Sequence, residues 1–154
     1  MKNRRKSTDF IVIHCSATSP DMDIGANEIR RWHTDPPPSG RGWKDIGYAE
    51  VIRRDGTAEP GRNLDDAVPS ANEVGAHVLG FNGRSVGICL IGGIDRHGKS
   101  ENNFTGAQFS SLRLILRFYK ALFPEALIVG HHELDKKKDC PSFDVQAWLK
   151  KQNL

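Results

Sequence analysis

The chain has 154 residues, 22 Lys and Arg against 19 Asp and Glu for a formal charge of +3, and 38% hydrophobic and 27% charged residues. That is the length of one domain and the composition of an ordinary soluble globular protein, which excludes disordered and fibrous classes. Three cysteines, Cys15, Cys89 and Cys140, are too few and too odd in number for a disulfide scaffold, and a chain this long buries about two-thirds of its unfolded surface without one.

The leader Lys2-Asn3-Arg4-Arg5-Lys6 precedes an apolar run of four residues, 10–13. A secretory signal needs about 7–15 apolar residues and a membrane span about 18, so neither a signal peptide nor membrane insertion is expected. Residues 1–8 read as a flexible, solvated basic arm, with a nucleic-acid arm or a polymerase-docking tail as alternatives.

The β-branched run 10–13 ends in His14-Cys15-Ser16-Ala17-Thr18, the pattern of a buried strand that delivers polar side chains at its carboxyl end. Over 26–34, Ile29, Trp32 and His33 share one helix face, and Pro36-Pro37-Pro38 ends that helix. Residues 47–52 read as a strand, and Arg54-Asp55-Gly56-Thr57 is a hairpin signal because Asp-Gly accepts positive φ. Residues 61–84 read as a long, ordered surface segment, and 85–91 as a strand closed by Gly92-Gly93, where the pair lets the chain turn. Thr105 and Gln108 form a capping box for a helix whose stripe is Leu112, Ile115, Leu116, Tyr119 and Leu122, stopped by Pro124. A strand over 126–129 runs into Gly130-His131-His132, and a last short helix after Pro141 turns Val145, Trp148 and Leu149 inward. This order, without internal repeat, predicts an α/β fold: one domain over 9–154 with a central mixed β-sheet flanked by helices.

Two of these strands end in histidine clusters, and the ends of sheet strands are common places to build a site. His14 and His131, with Cys140 nine residues further on, are candidate metal ligands, since zinc takes imidazole nitrogen and thiolate sulfur and a catalytic zinc keeps three protein ligands and one open position. The loop 131–140 is long enough to bring the cysteine back, and Pro141 restricts that return. Taken alone the spacing is a weak signal, and it also fits a structural histidine pair and a loop thiol without a role. No CxxC pair, HExxH or Walker-type loop is present. Cys15 and Cys89, in apolar strand contexts, read as small core residues, His33 as a hydrogen-bonded packing residue and His97 as solvated.

Several segments, in order, resemble the type-2 zinc-dependent N-acetylmuramoyl-L-alanine amidases, a family that includes small phage lysozymes and the related peptidoglycan recognition proteins. They are Ile13-His14-Cys15-Ser16-Ala17-Thr18, Gly42-Trp43-Lys44-Asp45-Ile46-Gly47-Tyr48, Arg54-Asp55-Gly56-Thr57 with Gly61-Arg62, and Gly75-Ala76-His77. Ser85-Val86-Gly87-Ile88, Ile91-Gly92-Gly93-Ile94-Asp95, His131-His132-Glu133 and Cys140-Pro141-Ser142-Phe143-Asp144 complete the set, which spans about residues 8–150.

The resemblance implies one Zn2+ per chain held by His14, His131 and Cys140, catalytic roles for Tyr48 and Lys138, and substrate contact by His77. It leaves His132 a structural or supporting role. The stretch from His131 to Cys140 is one residue longer than in the small phage members, so Lys138 is chosen from Lys136, Lys137 and Lys138 by counting back from the cysteine. After the tyrosine this chain has Ala49 and Glu50 where the family has His or Asn and then an aromatic. If the strand's period of two includes Tyr48, Glu50 shares its face and enters the cleft as a general base or substrate contact.

The function implied is hydrolysis of the amide between N-acetylmuramic acid and L-alanine in peptidoglycan, by a monomer of phage or prophage endolysin type. Such an enzyme is cytoplasmic until released to the cell wall. Alternatives are a cytosolic enzyme that recycles soluble muropeptides, and a regulatory protein that binds peptidoglycan or a phage RNA polymerase.

Overall fold

A computed structural model describes residues 3–62 and 72–154. Its elements are β1 (Phe10–Cys15), α1 (Ala26–Thr34), β2 (Glu50–Ile52), β3 (Ala58–Pro60), a single 3-10 turn (Asn82–Arg84), β4 (Ser85–Leu90), α2 (Gly106–Leu122), β5 (Leu127–Gly130), α3 (His131–Leu134) and α4 (Val145–Gln152). The sheet order is β3-β2-β4-β1-β5, with every pair parallel except the β2–β3 hairpin. This is the mixed α/β architecture expected. No helix among the described residues is long and apolar enough to cross a membrane.

Alternation along the strands sorts side chains onto two faces. Ile11 and Ile13 of β1, Ile52 of β2, and Val86, Ile88 and Leu90 of β4 pack with Leu112, Leu116 and Tyr119 of α2 and Val145 and Leu149 of α4. On the other face, Val51 of β2 and Cys89 of β4 pack under Ala26 and Ile29 of α1, with Ile24, Ile46 and Ile91. Val12 and Val129 share that face and meet Val78 in the chain leading into β4. The edges of the sheet are thin, whereas β1 lies at its centre between two parallel neighbours.

The caps follow the sequence. Thr105 Oγ1 accepts from the Gln108 N–H at 3.1 Å, and Gln108 Oε1 accepts from the Thr105 N–H at 3.0 Å. Gly56, at φ +89, completes the hairpin turn. Two helix positions differ from expectation: Trp32 and Leu122 are exposed, at 38% and 45%, because each sits at the margin of its helix's buried stripe.

The basic amino terminus also differs. Residues 3–5 run antiparallel to 72–74: Val74 N–H donates to Asn3 O and Arg5 N–H donates to Asn72 O. Arg5 is only 8% exposed, its guanidinium donating to the Glu73 carbonyl and lying 5.8 Å from the Phe123 ring centroid. Charge alone suggested solvation, but the arginine stem and its delocalised cation are readily packed on an aromatic. The segment expected to be ordered over 61–84 falls partly, at 63–71, outside the described residues.

Candidate metal centre

His14 lies on the α1 face of β1, one residue from the strand's carboxyl end. β5 runs beside β1 in register, Ile13 opposite Gly130, so His131, the first residue of α3, emerges next to it. The two imidazole centroids are 4.6 Å apart. The chain then loops through 135–139 and returns Cys140, whose carbonyl accepts from the His132 backbone N–H at 2.9 Å and lies 3.0 Å from His132 Nδ1. His132 thus braces the returning loop from a helical turn, the supporting role expected of it.

Cys140 Sγ is 3.7 Å from His14 Nδ1, and one ligand atom from each of His14, His131 and Cys140 lies within 4.8 Å of the other two. Tetrahedral zinc with its usual bond lengths separates a nitrogen and a sulfur ligand by about 3.5 Å, so the set fits the ion with small movement. Burial, then His77 and His131, hold the His14 imidazole pKa well below its ordinary value, and burial, then the Lys138 charge, lower that of His131. Both shifts favour the neutral ring that metal ligation requires. Cys15 donates its backbone N–H to Cys140 Sγ at 3.2 Å. A hydrogen bond with the Cys15 thiol, together with burial, pushes the Cys140 thiol up, an order that a divalent cation reverses because a coordinating thiol is deprotonated.

Tyr48 stands with its ring centroid 5.0 Å from that of His14 and 5.5 Å from that of His33. Burial, followed by the neighbouring Cys89, raises its hydroxyl well above the ordinary tyrosine value, so it keeps its proton. His33 is the packing residue expected: its Nδ1 accepts from the Gly47 N–H at 2.9 Å, and burial takes its pKa down to about 4. Lys138 is exposed, and of the three consecutive lysines it is the one whose charge bears on His131.

One expectation is corrected. Glu50 is on the opposite face of the sheet from His14, its Oε1 accepting from the Tyr119 hydroxyl at 3.2 Å. The period of two begins only at Glu50, where β2 begins; Tyr48 precedes the strand and packs with the α1 cluster instead. His77 turns both ring nitrogens to protein partners: Nδ1 is 2.8 Å from His14 Nε2, and Nε2 is 3.2 Å from Ser85 Oγ. The half-buried ring is thereby in direct contact with His14, one of the candidate ligands. Burial first, against a hydrogen bond to the Ser85 backbone, takes the His77 pKa down to about 3.

Sequence reasoning missed Ser85, Gly87, Cys15 and Ser142 as parts of the site. Ser142, at φ +71, donates from Oγ to the Gly93 carbonyl at 2.7 Å and ties the returning loop to the turn after β4. Gly93 itself leaves room for Cys15, since a Cβ there would come within 2.5 Å of Cys15 Sγ.

A protein-family profile described as N-acetylmuramoyl-L-alanine amidase matches residues 4–143. The endolysin of Enterobacteria phage K11 is 46% identical over 147 residues, covering 96% of this chain and 89% of the relative. The endolysin of Escherichia phage T7 is 45% identical over 151 residues, covering 98% and 91%. Among solved structures, the endolysin amidase LysCS of Clostridium intestinale superposes with TM-score 0.75 at 26% identity, over 96% of this chain and 85% of that one. Bumblebee PGRP-SA shares the fold, with TM-score 0.74 at 23% identity, over 97% and 85%.

Proposed function

This chain belongs to the N-acetylmuramoyl-L-alanine amidase family, and from that premise we propose that it is a zinc-dependent endolysin. It hydrolyses the amide between N-acetylmuramic acid and L-alanine once it reaches the cell wall. The observation that carries the reading is the convergence of His14, His131 and Cys140 ligand atoms within 4.8 Å of one another.

Zinc, when bound by these three residues, supplies a water acidic enough to attack at neutral pH and a Lewis acid for the scissile carbonyl. The chain's own residues supply the rest. His131 and Cys140 are half-buried, so the three residues that would hold the ion are reached from their side. Lys138, on the loop that returns Cys140, brings a cation to the rim, where a tetrahedral oxyanion gathers charge. Tyr48, beside His14, retains its phenolic proton and would offer it as a hydrogen-bond donor to that oxyanion or to the attacking water. His132 and the Cys15 N–H hold Cys140 in position.

The test is zinc content together with release of L-alanyl amino groups from isolated sacculi. One zinc per chain and steady release are expected, and Cys140→Ser lowers the rate by about 1000-fold or more, ~4 kcal/mol, with parallel loss of zinc. Wild-type protein without stoichiometric zinc overturns the metal reading. Running soluble muropeptide beside sacculi separates a wall-lysing enzyme from a recycling one.

A further inference from the structure

The hydrogen bonds behind His14 form a chain of fixed polarity. His14 Nε2 meets His77 Nδ1 at 2.8 Å, His77 Nε2 meets Ser85 Oγ at 3.2 Å, and Ser85 Oγ reaches the Phe81 carbonyl oxygen at 2.8 Å. The last member decides the direction, because a carbonyl oxygen only accepts. Ser85 spends its single proton on Phe81, so its oxygen must accept from His77 Nε2–H. A neutral His77 that carries its proton on Nε2 has a bare Nδ1, which must accept from His14. His14 is therefore the Nε2–H tautomer, and its free lone pair is on Nδ1, the atom that faces Cys140 Sγ at 3.7 Å.

The surrounding structure is shaped for this arrangement. Ser85 is fully buried on β4, and Gly87, two residues on, shares its face. A Cβ at Gly87 would come within 2.7 Å of His77 Cγ and 2.8 Å of its Nδ1, so the ring lies in the space that only glycine leaves on that strand. The Asn82 side-chain oxygen accepts from the backbone N–H of both His77 and Val78, at 2.8 and 2.9 Å, and fixes the segment that carries the ring.

We propose that His77, backed by Ser85 and seated on Gly87, is a positioning residue that sets the tautomer and ring orientation of His14 and so presents Nδ1 to the metal. The inference rests on the zinc reading for its purpose, but the tautomer order follows from the hydrogen bonds of a neutral His77 without it. Partners of this kind behind a ligating histidine are typically worth about 10- to 100-fold in metal affinity.

Three measurements on the metal-loaded chain, two with zinc and one with Co2+, test it. Long-range proton–nitrogen NMR correlations are expected to report Nε2–H on both His14 and His77; Nδ1–H on His14 overturns the inference. Competition against a chromophoric chelator is expected to give His77→Phe about 10- to 100-fold weaker zinc binding, and His77→Asn, whose side-chain oxygen replaces Nδ1 as acceptor, a recovery of most of that loss. The visible spectrum of the Co2+-substituted protein is expected to change in His77→Phe and to return toward wild type in His77→Asn. Unchanged affinity and spectrum in His77→Phe overturn the inference while leaving the zinc reading intact. A wild type that binds no zinc removes the zinc reading and the positioning role together. Ser85→Ala, which removes one hydroxyl and little volume, carries the test if His77→Phe does not fold: a loss of roughly threefold or more is expected, and none overturns the role.

Discussion

On one face of the sheet, Ile11, Ile13, Val86, Ile88 and Leu90 meet the aliphatic stripes of α2 and α4. On the other, from the same strands and one residue out of step, Val12, His14, Gly87 and Cys89 lie beneath α1 and the chain leading into β4. The first face is held by volume: its side chains fill space, and the Glu50 carboxyl is half-buried against Tyr119. The second is held by hydrogen-bond direction, from His14 through His77 and Ser85 to Phe81. The two faces therefore respond to different kinds of substitution, stability on one and chemistry on the other.

Leu116→Ala, on the packing face, is expected to have the largest effect after loss of a metal ligand, about 2–5 kcal/mol of unfolding free energy. Denaturant titration measures it. The rate per folded molecule at low temperature should stay within about twofold of wild type, since the cavity opens away from His14. A large fall in kcat at full folding would break the division between faces.

Lys138→Ala is the converse. Loss of one oxyanion donor typically lowers the rate about 100- to 1000-fold, ~2.7–4 kcal/mol in the transition state. Zinc content and melting temperature should be unmoved, as Lys138 is exposed. Loss of zinc in this variant would place the lysine among the groups that support the metal.

Glu50→Gln gives the smallest effect and the sharpest one for the comparison. Burial, partly offset by the Tyr119 hydrogen bond, raises the Glu50 pKa from 4.5 to about 7. Between those values the folded state retains a proton that the unfolded state has lost, so stability falls as pH rises from 4.5 to about 7 and is level above. The glutamine variant removes that decline and is expected to be more stable than wild type at pH 8 by about 1–3 kcal/mol. Its activity should be unchanged within about twofold. Unfolding curves at pH 5 and pH 8 check the first statement, and an assay at neutral pH the second.

Much of this organisation was legible in the sequence because it is local. The three prolines at 36–38 and the apolar spacing place α1, Thr105 and Gln108 place the start of α2, and the run ending at His14 places β1. The three ligand candidates were legible as residues at strand ends, and the structure brings them together. What was not legible depends on where a period begins or on register between strands. Glu50 changed faces because Tyr48 lies outside β2, a boundary of two residues. The part played by Ser85 and Gly87 follows from β4 lying beside β1 with Val12 opposite Gly87 and His14 opposite Cys89, and no pattern within one strand reveals that alignment.

The antiparallel pairing of residues 3–5 with 72–74 has a practical consequence. Val74 is three residues from His77, so the amino terminus and the imidazole behind the candidate metal site share one short stretch of backbone. An affinity tag or fusion partner attached ahead of residue 3 pulls on that stretch, and a protease used to remove it works beside the same pairing. The opposite end is free of this coupling: α4 closes at Asn153 in a left-handed cap, with Leu154 at the surface. Purification handles, fluorophores and surface-immobilisation chemistry belong on the carboxyl end.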